Sequence, residues 1–230
     1  MKENDVSDLP VGAEVDAYPA GAPTRRPMEG SFVRLEPVDP VRHVDPLYEA
    51  THGSSTAEAV WTYLGYGPFH DRDAMLAWLE SLVPSADPLF FTVVDRATAT
   101  PVGVVSYLNQ DRAMRHVEMG HIWYVPAAQR TRANTETAYL LLREAFETLR
   151  ERRVEWKCDS LNARSRAAAE RLGFTFEGVF RRHMIVKGRN RDTAWYSMLD
   201  GEWSAVKANQ EAWLAAEPGS VSLRSLNAAR

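Results

Sequence analysis

The order of signals along the chain predicts an α/β protein, a mixed central sheet with helices packed on it. Two observations carry this. Three β-rich runs follow one another at 89–95, 102–108 and 116–125 through short polar turns, the pattern of an antiparallel meander. A strand–helix–strand–helix alternation then occupies 116–125, 134–150, 153–159 and 162–172. The 230 residues are 45% hydrophobic and 25% charged, enough to close one sizeable core.

Residues 1–28 carry Pro10, Gly12, Pro19, Gly21, Pro23 and Pro27 with few large apolar groups, and read as a flexible arm. Phe32 to Leu35 alternates apolar and polar, then stops at Pro37, as a short strand does. Val44, Leu47 and Tyr48 give Val41 to Ala50 helical spacing. Gly65 to Pro68 breaks the chain. Asp71 stands where an N-cap belongs, ahead of Met75, Leu76, Trp78, Leu79 and Leu82, and Pro84 and Pro88 end that helix. After the meander, Tyr139, Leu142, Phe146 and Leu149 put Asn134 to Arg150 into a helix. Val154 to Cys158 alternates as a strand, and Asn162 to Leu172 is a helix that Gly173 closes. Thr175 to Val186 and Thr193 to Leu199 form a hairpin around Lys187 to Asn190, and a last helix runs from Glu202 to about Glu217 before a polar tail. The expected organisation is an arm (1–28), one domain (29–203), and a C-terminal helix and tail (204–230).

Several chemistries are excluded. One cysteine, Cys158, makes neither an intramolecular disulfide nor a cysteine-based zinc site. A formal net charge of −4 argues against nucleic acid as partner, no apolar run reaches membrane-spanning length, and the acidic start from Met1 to Asp16 lacks a signal-peptide pattern. A cytoplasmic location is expected. No phosphate-loop, dinucleotide or nucleophile-elbow motif occurs. His116, Glu118 and His121 suggest metal ligation, but strand alternation puts 116 and 118 on one face and 121 on the other, so no metal is expected. His70 to Asp73 reads as a loop histidine beside a helix cap. The basic run Arg181, Arg182, His183, Lys187, Arg189, Arg191 reads as a solvated hairpin edge, with contact to an anionic ligand or partner as the alternative.

The informative stretch runs from Tyr124-Val125-Pro126 through Gln129-Arg130-Thr131-Arg132-Ala133-Asn134-Thr135-Glu136 into a long helix starting near Asn134. Free N–H groups at a helix N-terminus favour an anion such as a pyrophosphate, and Arg130 and Arg132 add charge. Downstream come Asn162-x-x-Ser165, Arg171-Leu172-Gly173-Phe174, Glu177-Gly178-x-x-Arg181, Arg191-Asp192-x-x-x-Tyr196 and Glu202-Trp203. Together with Trp61-Thr62-Tyr63 and the meander, these pieces resemble the GNAT-superfamily N-acetyltransferases, in the branch of the ribosomal-protein acetyltransferases RimJ and RimL. The resemblance covers roughly residues 30 to 205.

The resemblance implies two central parallel strands, here 116–125 and 153–159, that splay so that acetyl-CoA inserts between them. It implies cofactor contacts at Trp123, Tyr124 and Val125, on the loop Gln129, Arg130, Thr131, Arg132, Ala133, Asn134 and Thr135, and at Asn162 and Ser165. Arg132 and Asn134 stand where the family's loop usually has glycines. The catalytic pair it implies is Glu118, which takes the amine's proton, and Ser165, which assists departure of the thiol; Cys158 stays a buried structural thiol. Trp61, Tyr63 and Phe69 are expected as walls of the acceptor pocket, with Glu177 as a second acceptor-side carboxylate and alternative base. The function this implies is transfer of an acetyl group from acetyl-CoA to a primary amine, a protein N-terminus or a small molecule, in a ternary complex. The alternative is a non-catalytic acyl-CoA-binding module on the same fold. No metal is implied, and a homodimer stays open.

Overall fold

The meander predicted from the sequence forms the centre of the sheet in a computed structural model that describes residues 9–16 and 18–228. The acidic residues Met1 to Asp8 lie outside the described residues. The strands are β1 (Met28–Glu29), β2 (Val33–Pro37), β3 (Leu89–Asp95), β4 (Pro101–Asp111), β5 (His116–Tyr124), β6 (Arg153–Asp159), β7 (Thr175–Val186) and β8 (Arg189–Leu199). They stand in the order β1-β2-β3-β4-β5-β6-β8-β7, antiparallel throughout except for the parallel pair β5 and β6. The helices are α1 (Pro40–Thr51), α2 (Ser55–Glu58), α3 (Arg72–Leu82), α4 (Arg132–Arg143), α5 (Ala163–Leu172), α6 (Asp200–Ala215) and α7 (Leu223–Ala228).

The two faces carry different helices. On β4, Tyr107 turns toward α4, where its hydroxyl donates to the Leu141 carbonyl. Arg171 of α5 reaches across to Asn134 and Thr135 of α4 at 2.9 and 2.8 Å, so α4 and α5 share that face. On the opposite face His43 of α1 meets Thr92 of β3 at 2.8 Å, and Trp61 packs on Trp123 with ring centroids 4.8 Å apart.

Expected ends shift by a few residues, for local reasons. Helix α4 begins at Arg132 because the Thr131 side chain, two residues earlier than expected, accepts the Ala133 N–H. Directly after α4, Glu144–Thr148 continues as a π turn. Asp71 caps α3 and Asn162 caps α5 as the sequence indicates. Gly173 closes α5 at φ +103°, a conformation that glycine adopts without cost. The polar tail contains the short helix α7.

The arm from Tyr18 onward lies against the domain. Ala20 and Gly21 donate to the carbonyls of Arg112 and Leu149 at 2.9 and 2.8 Å, and the Tyr18 ring sits under the guanidinium groups of Arg115 and Arg150.

Candidate active site

Two departures from a regular ladder build the site. First, β5 and β6 pair only from His116↔Arg153 to Met119↔Trp156. Beyond those residues β5 follows β4 and β6 follows β8, so the two central strands part. Second, β5 carries a bulge. Gly120 faces Ser106 and Trp123 faces Val104, so three steps on β5 answer two on β4, and His121 adopts φ +51°. Bulge residues His121 and Ile122 have no register partner on either neighbouring strand.

The bulge corrects one expectation. An extra residue inverts the alternation, so His121 faces the same side as Glu118. Its ring lies against Phe90 and stacks on Tyr66, with Nδ1 3.3 Å from the Tyr66 hydroxyl. Burial pushes the His121 imidazole below its ordinary value, which favours the neutral ring. No metal-binding cluster follows: among the described residues no group of three or more His, Cys, Asp or Glu is placed to hold an ion.

The parted strands open a cavity of about 490 Å³. Glu118, Asn109 and Lys157 line its floor on the α1 face. Tyr63 and Tyr66 form one wall, His183 and Arg191 of the β7–β8 hairpin the other. Through the gap it reaches Trp156, Cys158, Asn162 and Ser165 on the α5 face.

Glu118 is buried and bonded. Its Oε2 lies 2.9 Å from Lys157 Nζ and accepts from Asn109 Nδ2 at 2.8 Å. Oε1 accepts no hydrogen bond among the described residues. Lys157 Nζ also reaches Glu155 at 2.8 Å and stands 3.9 Å over the Trp195 ring. Glu155 pairs with Arg153, and Arg153 forks onto Glu177 at 2.7 and 2.6 Å. The strands therefore carry a row of alternating charge with Glu118 as its inner end.

Ser165 lies in the first turn of α5. Its hydroxyl oxygen accepts from Trp156 Nε1 at 3.0 Å, and its backbone N–H donates to Asn162 Oδ1 at 3.1 Å. An indole N–H only donates, so the Ser165 hydroxyl proton is left to another acceptor, which in the resting site is the Cys158 sulfur. Burial pushes the Cys158 thiol up, and a hydrogen bond from Ser165 partly opposes that. A neutral buried thiol is a poor nucleophile.

The loop after β5 is ordered by its own side chains. Gln129 Nε2 donates to the Tyr124 carbonyl at 3.1 Å, Thr131 Oγ1 donates to the Ala128 carbonyl at 2.7 Å, and Arg130 adopts φ +62°. The two residues at glycine positions are held by other elements. Arg132 donates to the Ala216 carbonyl and stacks on Phe32, while Asn134 Oδ1 takes the Arg171 guanidinium. Ala133 is buried, and Trp123, Tyr124 and Val125 pack into the core behind the loop. The donor-rich loop and the parted strands are compatible with a long anionic coenzyme laid between them.

Two expected wall residues, Trp61 and Phe69, and the alternative base Glu177 stand elsewhere. Trp61 is fully buried, because its indole N–H is committed to the Thr51 carbonyl and its ring to an aromatic cluster that includes Phe69. Phe69 packs into that cluster rather than lining the cavity. Glu177 is drawn to Arg153 and to the Ser197 hydroxyl on the outer strands, outside the cavity. Tyr63 does line it. Sequence reasoning missed Tyr66, Asn109 and Lys157, and gave His183 and Arg191 only within the basic run whose alternative reading was contact with an anionic ligand or partner. Strand register and packing across the sheet bring them in, and no local pattern announces that.

Comparison with known proteins gives a consistent result. The family described as Acetyltransferase (GNAT) domain matches residues 33–175. A crystal structure of a GCN5-related N-acetyltransferase from Brucella melitensis superposes with a TM-score of 0.86 at 41% identity, covering 91% of this chain and 97% of that one. A probable acetyltransferase of the GNAT family from Chromobacterium violaceum gives 0.78 at 41% identity, covering 86% and 99%. Among curated proteins, the "Putative ribosomal N-acetyltransferase YdaF" of Bacillus subtilis is 34% identical over 105 residues. That match spans 46% of this chain and 57% of the relative's length, and agrees with the RimJ/RimL-like resemblance.

Proposed function

The chain belongs to the GNAT acetyltransferase family, and from that premise we propose that it transfers an acetyl group from acetyl-CoA to a primary amine by direct attack in a ternary complex. The observation that carries the proposal is the parting of β5 and β6, which joins Glu118 on one face to Ser165 on the other through one cavity.

Acetyl-CoA, when bound, supplies an acyl carbon activated as a thioester. The residues Gln129 to Thr135 would hold its phosphates at the start of α4, and Asn162 and Ser165 would flank its thiol end. The backbone of β5 would supply N–H groups to the thioester oxygen. Glu118 accepts a proton from the incoming ammonium group, directly or through one water, because only the neutral amine has the lone pair to attack. The new C–N bond forms as the C–S bond breaks. The departing sulfur takes a proton from the Ser165 hydroxyl, and the second proton that the nitrogen sheds on becoming an amide passes to solvent, which reprotonates Ser165.

Thiol release from acetyl-CoA across an amine panel tests the reading. Release with at least one amine is expected. Glu118→Gln and Ser165→Ala are each expected to lower kcat/KM at least about tenfold (~1.4 kcal/mol) while coenzyme binding persists. Full activity in both variants would overturn the assignments, and absence of release with every amine would overturn the activity.

A further inference from the structure

The β7–β8 hairpin concentrates charge in a way the reaction itself does not use. Between Gly178 and Arg191 it carries Arg181, Arg182, Lys187, Arg189 and Arg191 and no carboxylate, in a chain whose net charge is −4. Most of these side chains point outward, but Arg191 and His183 line the cavity opposite Tyr63 and Tyr66.

Arg191 differs from the other cations on its face. On β8, residues 191, 193 and 195 share one side, and the pairing Lys157↔Trp195 makes it the side of Lys157 and Glu118. Lys157 there holds two carboxylates, and Arg153 holds two. Arg191 has none within ion-pair distance among the described residues. The nearby carboxylates are engaged: Asp159 accepts the Leu161 N–H at 2.9 Å, and Asp192 accepts from Arg182 N and Asn190 Nδ2 at 2.7 and 2.8 Å. Two buried donors on this side, Arg191 Nε and Trp195 Nε1, find no acceptor among the described residues. Thr193 between them is bonded to His183 at 3.0 Å. Buried donors left unmet are costly, and a guanidinium meets the oxygens of a carboxylate or phosphate with two parallel bonds.

We infer that Arg191 is a specificity-determining residue, and that the acceptor is a primary amine that also bears a carboxylate or phosphate, its ammonium end at Glu118 and its anionic end at Arg191. This rests on the acetyl-transfer reading of the same cavity. Two sources share the chemistry: a free amino acid, and a peptide whose residue after the N-terminus is acidic.

Two matched probe pairs separate them: L-serine against serinamide, and the peptide amide Ser-Asp-Gly against Ser-Asn-Gly. Thiol release is expected to favour the acid-bearing member of at least one pair by tenfold or more in kcat/KM, chiefly through KM. Arg191→Met should bring that ratio near one, and Arg191→Lys should restore part of it. Calorimetric titration of the same probes gives a readout independent of turnover. The acid-bearing probe should bind more tightly than its amide, and Arg191→Met should remove the difference while acetyl-CoA binding persists. Equal or better use of the neutral member in both pairs, or an unchanged ratio in Arg191→Met, overturns the inference while leaving acetyl transfer standing. If no amine releases thiol, acetyl transfer fails and the titration alone decides: discrimination lost in Arg191→Met upholds the anion site, and no discrimination overturns it. Should Arg191→Met fold poorly by thermal denaturation, Arg191→Gln takes its place.

Discussion

Burial holds the Glu151 carboxyl up at about 7, with Arg115 and Arg112 opposing the shift and Asp111 adding to it. Gln110 Nε2 donates to Oε1 at 2.6 Å, whereas Oε2 is buried and has no partner among the described residues. A carboxyl raised in the folded state binds more protons there than in the unfolded chain, where it titrates near 4.5. Its contribution to stability is therefore complete below that value and declines as pH rises toward 7. Glu151→Gln is expected to flatten the decline and to raise stability at pH 8 by ~1–3 kcal/mol. Chemical denaturation at pH 5 and pH 8 measures this, and an identical decline in the variant would assign it to another group. Residue-level chemistry was partly legible in the sequence. The candidates Glu118, Asn162 and Ser165 all reach the cavity, because strand parity and a helix cap fix where a side chain points. Glu177 and Trp61 do not, because what holds them (a guanidinium two strands away, a carbonyl of α1) is set by tertiary packing.

At the scale of elements, Glu136 ties α4 to the start of β2. Its buried carboxylate accepts from the backbone N–H groups of Ser31, Phe32 and Val33 at 2.7, 2.6 and 2.7 Å. Gly30 is required beside it, since a Cβ there would collide with the Glu136 carboxylate. Glu136→Ala leaves three donors without an acceptor and is expected to destabilise the fold by about 3 kcal/mol, with Glu136→Gln recovering part. Urea unfolding checks it; a loss within error of zero would mean that water replaces the carboxylate. From the sequence, Glu136 is a polar residue in the first turn of an expected phosphate-binding helix, and its partners lie about a hundred positions earlier. Periodicity shows that a helix begins there and is silent on which distant strand it clamps. The β5 bulge was illegible for a related reason. The run His116 to Tyr124 alternates too loosely to reveal an extra residue, so the facing of His121 was inverted until pairing with β4 set the register.

The whole sheet consists of two leaves, β1 to β5 and β6 to β8, joined along four residue pairs of β5 and β6 and through the helices packed on one face. A coenzyme seated in the gap, as proposed, would act as a splint across them. Acetyl-CoA at a hundredfold excess over its Kd is expected to stabilise the folded state by ~2.7 kcal/mol, read as a rise in Tm. No rise at any concentration would remove the coenzyme from the gap. The layer order and single core were visible in the element pattern because α/β alternation leaves few ways to bury both faces of a sheet. The packing of the arm from Tyr18 was not, because proline and glycine mark irregular backbone without saying what it lies against.

The hairpin tip adds a constraint on traffic. Lys187 Nζ donates to the Trp61 carbonyl at 2.8 Å, joining the turn after β7 to the segment that carries Val60 and Tyr63. The two walls of the cleft are thereby tied to each other. The turn of the hairpin and the segment after α2 therefore move as one, and an opening of the cleft on this side would first have to break that bond.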